Sequence, residues 1–543
     1  MIKKKILKYG IFYPVTGVLW FLAVFLSLDL LALTTELWRE HHNPLLVAYK
    51  NHQPLPLKGN DSQADKDKVG VPNGWDDNSK IATTDFSSDP FLQQVLDWGP
   101  RDIYLPVEEQ QKRRLLSVEM TPLAREAYAQ MNGEVILRID QQYHVREVYG
   151  FFKSLLTGFK KFLFHQMLLR TPILESLHEA IAKTLEDGQI RFSTTINPDG
   201  EPLKFVCFPA LQEEGVHKSV FVFFEFHPEL ASTHDEEIDA SNRWVVHNYK
   251  YKPNYYPMEC NSSFSTNEFG FYDDSVQVPK PEQIFRIVCV GGSTTEEGYT
   301  KEETYPSMLE KLLKKSMPGC GIEVLNAGTP GTFAYTHLLR FNDYAALQPN
   351  MFILHLGVND TLLQYSSEHI NILPSISRFI RVFCPSVTSP NTDTFSRKHY
   401  INMGFPLELF IQLALRRGIT VVLASIAHPN TGKISTAEQQ YFVYNANSEW
   451  LLPAFNLSTY ISYINASNHI LYQIAEKYGL DYIPIAEQIT GGTDTFRDLC
   501  HMTQFGINRK AQLFCDLLHP ILSLTLPEKY FTKGSSVDET PSL

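Results

Sequence analysis

Four short polar blocks in the second half of the chain have residue types suited to acyl-group chemistry. Ser293 follows two glycines, and its hydroxyl becomes a nucleophile where a base lies within hydrogen-bond reach. Asp498 precedes His501 by three residues, a spacing that lets the carboxylate reach the imidazole within one turn. Gly328 and Asn359 offer a backbone N–H and a side-chain amide, donors that suit an oxyanion. Together these types indicate a nucleophile, a base and an oxyanion hole.

Each block, taken alone, also has a structural explanation. Glycines close many turns, an asparagine commonly caps a helix, and an aspartate can cap a helical turn. The turn at Ser293 is not a phosphate-binding loop, because neither a Lys-Ser/Thr pair nor GxGxxG spacing is present. It also differs from the GxSxG nucleophile elbow, since Thr295 occupies the last glycine position. The location of the blocks along the chain therefore has to decide between the explanations.

Apolar runs alternate with helical stretches around these blocks, which predicts a parallel sheet with helices on both faces. In such sheets ligands bind beyond the carboxyl ends of the strands, and each of the first three blocks directly follows an apolar run. The runs end at Val290, Leu325, Leu356, Ile426 and Ile485. The long connection 361–404 is expected to form a wall over the site and to set substrate choice.

In this order the blocks resemble the SGNH (GDSL-like) hydrolase family over about residues 260 to 525. The matching segments are Gly-Gly-Ser293, Asn326-Ala-Gly328, Gly357-Val-Asn359-Asp360 and Asp498-Leu-Cys-His501. The family's usual Gly-Asp-Ser reads Gly-Gly-Ser here, and the missing carboxylate is not one of the catalytic groups.

The resemblance implies a three-layer α/β fold with a serine hydrolase site. Ser293 would be the nucleophile, His501 the base that accepts its proton, and Asp498 the residue that orients His501. The backbone N–H groups of Ser293 and Gly328 and the side-chain amide of Asn359 would form the oxyanion hole. Neither a metal ion nor an organic cofactor is implied.

The first forty residues predict a membrane anchor. Residues 9–28 carry no charged side chain, and about 20 helical residues suffice to cross a hydrocarbon core of ~30 Å. Lysines lie only on the N-terminal side, so the positive-inside rule keeps the N-terminus in the cytoplasm and exports the body. A cleaved signal peptide and a buried core helix are the alternatives, and the length of the stretch favours a retained anchor. We expect a single-pass membrane protein with a periplasmic body.

The middle of the chain predicts a smaller α+β domain. Strands are predicted at 134–139, 191–196, 202–208 and 219–226, and a helix at 173–185. This order of strand, helix and three-stranded meander resembles a PAS sensory domain, which would allow a small ligand to bind here. An unrelated α+β packing domain is the alternative.

These observations divide the chain into six segments. They are a membrane anchor at 1–40, a flexible linker at 41–100, the PAS-like domain at 101–230, a linker packed on the hydrolase domain at 231–283, the SGNH domain at 284–525 and a polar tail at 526–543.

Composition excludes several classes of protein. Of the 543 residues 43% are hydrophobic and 20% charged, which is an ordinary globular balance. The formal net charge of −12 repels phosphate backbones, so no nucleic-acid partner is expected. Seven cysteines without CxxC spacing do not form a structural zinc motif.

Three functions remain open from the sequence. The first is an exported, membrane-anchored esterase that cleaves O-acetyl or acyl groups from carbohydrate or lipid of the cell envelope. The second is an acyltransferase that uses the same Ser-His-Asp triad, because an acyl-enzyme intermediate is common to both reactions. The third is a catalytically inactive sensory or binding protein that recognises its ligand through the PAS-like domain. The complete set of catalytic residue types favours the first two.

Overall fold

The structure is a computed structural model, and it describes most of the chain from residue 85 onward. The described ranges are 85–100, 105–150, 175–196, 202–210, 219–225, 243–246, 250–256, 264–368, 398–430, 432–448 and 455–531, with isolated residues between 24 and 48. Most of the predicted flexible linker 41–100, the tail beyond 531, residues 369–397 of the predicted wall and most of the predicted membrane helix lie outside these ranges. The last part of the predicted linker is described, and it is not a flexible segment: residues Pro90–Trp98 form a helix in which Leu92 is fully buried. None of the helices within them combines the length and the hydropathy of a membrane span.

Between residues 85 and 132, three helices precede the first sheet, and local sequence signals set their ends. Asp89 caps the first helix by accepting the N–H groups of Phe91 and Leu92, both at 3.0 Å. Thr121 caps the third helix, and Gly133 ends it in the left-handed conformation that glycine adopts readily. The helices are α1 (Pro90–Trp98), α2 (Val107–Glu119) and α3 (Pro122–Asn132).

The α+β part contains a five-stranded antiparallel sheet with the strand order β2-β1-β5-β4-β3. The predicted strands and the predicted helix of this region are confirmed, with small shifts at their ends. The elements are β1 (Glu134–Asp140), β2 (Val145–Tyr149), α4 (Glu175–Asp187), β3 (Arg191–Ile196), β4 (Pro202–Pro209) and β5 (Ser219–Glu225).

The sequence did not predict strand β2. It is an edge strand whose two central residues, Arg146 and Glu147, are charged, so the alternation of apolar residues is weak. Tertiary partners hold it in place instead, since Glu147 accepts a hydrogen bond of 2.7 Å from Arg138 of β1.

The two faces of this sheet pack against different layers. Helix α4 covers one face, where Leu177 and Ile181 are fully buried against the β-strands. Residues of the opposite face, among them Ile136 and Phe223, belong to the same apolar core as the rest of the molecule. A short hairpin, β6 (Trp244–Val246) and β7 (Lys250–Tyr251), follows along the chain.

A five-stranded, wholly parallel sheet forms the second half of the molecule, as the sequence predicted. Its order is β12-β11-β10-β8-β9, and every paired neighbour runs parallel. All carboxyl ends therefore meet at one edge, which is where the polar blocks lie. The strands are β8 (Phe285–Gly291), β9 (Ile322–Gly328), β10 (Met351–His355), β11 (Thr420–Ala424) and β12 (Asp481–Ile483).

Helices connect these strands, and the long last helix returns to the start of the sheet. Helix α14 packs on α6, with Tyr305 and Phe514 stacked at a centroid distance of 4.9 Å. The helices are α5 (Ser293–Glu296), α6 (Tyr305–Ser316), α7 (Ala334–Leu339), α8 (Phe341–Ala346), α9 (Val358–Glu368), α10 (Phe405–Arg416), α11 (Thr436–Ser448), α12 (Leu457–Tyr478), α13 (Ile485–Gln488) and α14 (Gln504–Thr525).

Because α1 packs on α3 and on α10 of the parallel-sheet domain, we predict that truncation of Leu92 destabilises the whole core. Leu92 is fully buried, and Leu92→Ala should lower the free energy of unfolding by ~2–5 kcal/mol. Urea unfolding of the full chain, followed by tryptophan fluorescence, measures the change. Leu115→Ala is the matched control, since Leu115 of α2 is 51% exposed. Equal losses in the two variants would contradict a core shared by both parts.

Candidate active site

Ser293 lies where strand β8 turns into a short helix. It is the first residue of α5 and directly follows Gly292. The N–H of the first residue of a helix has no partner within that helix, so the backbone of Ser293 presents a donor beside its own hydroxyl. The predicted nucleophile is therefore at the carboxyl edge of the sheet, at its second strand from one side.

His501 approaches Ser293 from the loop before α14. Its Nε2 lies 2.7 Å from the Ser293 Oγ, although the two residues are 208 positions apart in the sequence. The loop is folded tightly, since the Arg497 N–H donates to the His501 carbonyl at 2.8 Å. This backbone hydrogen bond closes the turn that contains both Asp498 and His501.

Asp498 holds the far side of the imidazole. One carboxylate oxygen lies 2.7 Å from His501 Nδ1, and the other accepts the backbone N–H groups of Cys500 and His501 at 2.9 and 2.8 Å. The carboxylate therefore fixes both the ring and the backbone of the histidine. The three residues that the sequence singled out form one hydrogen-bonded chain, from Asp498 through His501 to Ser293.

The protonation of this chain follows from its surroundings. Burial raises the pKa of Asp498, but its hydrogen bond and charge interaction with His501 outweigh burial and bring the pKa below its ordinary value. Burial opposes the imidazolium of His501, yet Cys500 and Asp498 together raise the pKa of His501 above its ordinary value. An ionised carboxylate beside a basic imidazole is the arrangement that a general base requires.

Asp498, Cys500 and His501 are also the potential metal ligands that the described ranges bring together, with their ligand atoms within 4.8 Å of one another. A metal ion there would have to take the carboxylate and the imidazole nitrogen out of the bond that joins them. The thiol would also have to lose a proton, and burial raises the pKa of Cys500 to about 11. This donor set fits the hydrogen-bonded chain better than it fits a metal.

Asn359 lies beside the serine turn, as expected for an oxyanion donor. It is in the first turn of α9, and its Nδ2 donates to the Thr332 carbonyl at 2.9 Å. A methyl group placed on Gly292 would lie 3.3 Å from this Nδ2, so the amide is next to the residue that precedes Ser293. An amide nitrogen has two N–H groups, which leaves one beyond the bond to Thr332.

The N–H of Gly328, which the sequence predicts as an oxyanion donor, has a hydrogen-bond partner within its own turn. Gly328 is the last residue of β9, and its N–H already donates to the Asn326 side-chain oxygen at 3.0 Å. A glycine is needed there for a different reason, because a Cβ would lie 2.4 Å from the backbone nitrogen of Glu296. Gly328 therefore lets α5 approach the end of β9.

A second glycine, Gly331, follows in the same part of the chain and was not predicted to belong to the site. Gly331 has a φ of 71°, in the left-handed region where glycine is favoured. It directly precedes Thr332, whose carbonyl binds the Asn359 amide. The positive φ could have been suspected from Pro330-Gly331, a dipeptide that marks tight turns. Gly331 is therefore adjacent in sequence to the residue that binds the Asn359 amide, whereas Gly328 lies further back along the chain.

Asp360 binds the residues that follow this turn. Both of its carboxylate oxygens lie 3.2 Å from the N–H of Ala334, the first residue of α7. Burial raises the pKa of Asp360 to about 7, although the bond from Ala334 works against the shift. The neighbouring residues Asn359 and Asp360 together hold residues 332–334.

The hairpin between the two domains also reaches the site. Tyr251 of β7 is fully buried and donates to the Glu296 carboxylate at 2.8 Å. Burial raises the pKa of Glu296 to about 7, opposed by Tyr251 and by the charges of Arg243 and His501. From its sequence this hairpin is expected to be part of a linker packed on the hydrolase domain. No motif marks Glu296, because its shifted pKa results from burial, which appears only in the folded chain.

The sequence model of the GDSL-like lipase/acylhydrolase family matches residues 289–520, from β8 into α14. These residues are a GDSL-like lipase/acylhydrolase domain. The match includes the serine turn, both candidate oxyanion segments and the Asp498–His501 loop, and it supports assignment of the domain to the serine ester hydrolases. The resemblance stated from the four blocks is thereby confirmed for the GDSL-like domain.

Known proteins similar to this chain include acetylxylan esterases. The chain is 25% identical over 132 residues to an acetylxylan esterase of Xylanibacter ruminicola, a segment that is 23% of this chain and 26% of that protein. The matched segment thus spans about a quarter of the relative's length. Among solved structures, TesA is 18% identical, with 44% of this chain and 99% of TesA covered at a TM-score of 0.28. Axe2, an acetylxylan esterase from Geobacillus stearothermophilus, is 14% identical, with coverages of 43% and 93% and a TM-score of 0.29.

We predict that Asp360→Asn makes the stability of the protein less sensitive to pH. Because the folded pKa of Asp360 is raised to about 7, the folded state retains a proton that the unfolded state loses near pH 4. The wild type therefore loses stability as the pH rises from about 4 to 7, whereas an amide stays neutral and still accepts the Ala334 N–H.

Thermal unfolding midpoints of the full chain at pH 5 and pH 8 measure this effect. The variant should gain on the wild type between these pH values by up to ~3 kcal/mol, because the folded carboxyl titrates about two pH units above pH 5 and each pKa unit corresponds to ~1.4 kcal/mol. Asp516→Asn, at an exposed position on α14, controls for the loss of a carboxylate. A difference between Asp360→Asn and the wild type that is the same at both pH values would show that Asp360 is ionised throughout.

Proposed function

We propose that this protein is a serine esterase whose nucleophile is Ser293. The observation that carries the proposal is the continuous chain of two 2.7 Å hydrogen bonds from Asp498 through His501 to the Ser293 hydroxyl. A serine hydroxyl is a weak nucleophile until a base takes its proton. Here the base is in contact with the hydroxyl, and a carboxylate orients the base.

The reaction follows from these contacts. Ser293 Oγ attacks the ester carbonyl while its proton passes to His501 Nε2, and Asp498 stabilises the resulting imidazolium. His501 then gives the proton to the departing alcohol, which leaves an acyl group on Ser293. Water, deprotonated by His501, releases the acyl group as a carboxylic acid and restores the serine.

The developing oxyanion would be stabilised by donors that are fixed before the substrate binds. We assign this role to the Ser293 N–H, the second N–H of the Asn359 amide and the N–H of Gly331 in place of Gly328. Asn359 is held by Thr332, and the turn that contains Gly331 is held by Asn359 and Asp360. Such pre-organised donors stabilise the transition state because they need no reorientation during the reaction.

The substrate we propose is an O-acetyl or acyl ester on carbohydrate or lipid of the cell envelope. The similarity to an acetylxylan esterase favours an acetyl group on a polysaccharide within this class. The charge-free stretch 9–28, preceded by lysines, supports anchoring in the membrane with the body in the periplasm. The strand, helix and meander order of the α+β part supports a PAS-like domain with a small ligand as its regulator.

A fluorophosphonate probe tests the nucleophile. We expect the full chain to be labelled at Ser293, as mapped by mass spectrometry, and Ser293→Ala to lose both the label and the release of acetate from acetylated xylan. Ser307→Ala is the matched control, because Ser307 lies in α6 and accepts only a local hydrogen bond from Thr304. Labelling at another residue, or none on the folded protein, would contradict the proposal and favour the sensory function.

Replacement of Asn359 tests the oxyanion hole. We predict that Asn359→Ala lowers kcat by roughly 10²–10³-fold, because one transition-state donor is lost, while the fold is retained. Asn350→Ala is the control: Asn350 accepts the Arg286 N–H at 2.9 Å at the opposite edge of the sheet, so its loss should affect stability and not kcat. Steady-state kinetics with an aryl acetate measure both variants. An unchanged kcat in Asn359→Ala would exclude the assignment.

A further inference from the structure

A buried ion pair connects the nucleophile turn to the histidine loop at a point separate from the Ser293–His501 bond. Glu297 and Lys510 form this pair, with their charged atoms 2.6 Å apart and their side chains 2% and 0% exposed. Nothing in the proposed reaction uses either residue. Their remaining hydrogen bonds, however, all go to the backbone beside the nucleophile and the base.

Glu297 ties the end of the serine turn to the residue after the histidine. Its N–H donates to the Ser293 carbonyl at 2.8 Å, so its position is fixed relative to the nucleophile. Its second carboxylate oxygen accepts the Met502 N–H at 2.7 Å. Met502 directly follows His501, so the carboxylate of the residue that ends α5 is bonded to the main chain that positions the base.

Lys510 completes the tie from helix α14. Its Nζ donates to the Thr294 carbonyl at 2.7 Å as well as to Glu297. The ammonium also lies 4.8 Å from the centre of the Tyr305 ring, which stabilises a cation. Thr294 directly follows Ser293, so the lysine binds the residue next to the nucleophile. It also binds the Glu297 carboxylate, which in turn binds the residue next to the base.

Burial makes this arrangement rigid. Both charges have been removed from water, which is offset only when the partners keep good geometry and all their hydrogen bonds. A displacement of either loop would lengthen a charge-assisted hydrogen bond in a low-dielectric surrounding, where such bonds are strong. The distance between the two loops is therefore set by these bonds as well as by the Ser293–His501 contact.

We propose that Glu297 and Lys510 are positioning residues that fix the distance between Ser293 Oγ and His501 Nε2. The inference rests on the proposed serine esterase function. The pair touches neither the substrate nor the reacting atoms, so it acts on kcat through the geometry of the nucleophile and the base. Misplacement of reacting groups by about 1 Å costs ~10²-fold in rate.

The test compares Glu297→Gln with Glu408→Gln in the full chain. Glu408 is the control, because it is a buried carboxylate with a lysine partner: its side chain is 0% exposed and lies 2.6 Å from Lys477, whose side chain is 23% exposed. Its other partners are the hydroxyls of Tyr400 and Tyr478. Two quantities are measured well below the thermal midpoint of each variant: kcat and KM on an aryl acetate, and the rate of fluorophosphonate labelling of Ser293.

We expect Glu297→Gln to lower both kcat and the labelling rate by ~10²-fold with KM unchanged, and Glu408→Gln to leave all three near the wild-type values. A purely structural role would lower the thermal midpoint of both variants and leave the kcat of the folded protein intact, and that result would overturn the inference. If Glu297→Gln does not fold, the double variant Glu297→Gln/Lys510→Met leaves no unpaired buried charge and takes its place with the same expectations.

The two proposals fail in different ways. If wild-type Ser293 is not labelled, the serine esterase function is wrong and the positioning role falls with it. If Ser293 is labelled and Ser293→Ala is inactive, but Glu297→Gln reacts at the wild-type rate, only the positioning role is wrong.

Discussion

A single hydrogen bond of 2.7 Å joins Ser293 to His501 across 208 residues of sequence, and much of the GDSL-like domain serves to keep its two ends together. The parallel sheet brings the serine turn to one edge, and helix α14 begins directly after the histidine loop. Proton transfer depends steeply on such a distance. It is therefore consistent that both loops are bound to each other by further groups, Glu297 and Lys510, which do not take part in the chemistry.

Buried carboxyl groups surround this contact, and they are stabilised in two different ways. Asp498 and Glu297 each have a basic partner, His501 and Lys510. Burial raises the pKa of Glu296 and of Asp360 to about 7, although the charges of Arg243 and His501 oppose the shift of Glu296. Asp498 and Glu297 are therefore charged groups that fix the geometry of the site. Glu296 and Asp360 instead accept hydrogen bonds from Tyr251 and Ala334 and carry little charge at acidic pH. Burying an ionised carboxylate without a partner costs so much free energy that the group becomes neutral instead, which appears as a raised pKa.

The α+β part is more than an appendage to the GDSL-like domain. One face of its sheet belongs to the same apolar core, and α3 packs against α7, the helix whose first residue Asp360 holds. The turn at Gly331 and Thr332 immediately precedes that helix. The candidate oxyanion segment is thus supported from both sides of the boundary between the two parts.

The sequence alone predicted the parallel sheet, the antiparallel meander and the GDSL-like domain, and it singled out Ser293, Asp498, His501 and Asn359 as candidate site residues. These features are local in sequence. Apolar residues recur with the period of a strand or a helix, and the polar residues of each block lie within a few positions of one another. What depends on contacts between distant segments could not be predicted. One local contact could not be predicted either: Gly328 and Gly331 look equally suitable in sequence, and they are distinguished by the bond from the Gly328 N–H to the side chain of Asn326, two residues earlier.

The same limit applies to the charged residues and to the edge strand. Nothing in the spacing of Glu297 and Lys510, 213 positions apart, indicates that they meet. Strand β2 has charged residues in place of the alternating apolar residues that are typical of a strand, and the partners of these charges come from the neighbouring strand β1. The sequence therefore determined which groups are present and which strands they follow. The tertiary structure alone decided which of them are removed from water and which face one another, because burial and hydrogen bonding between remote segments arise only when the chain is folded.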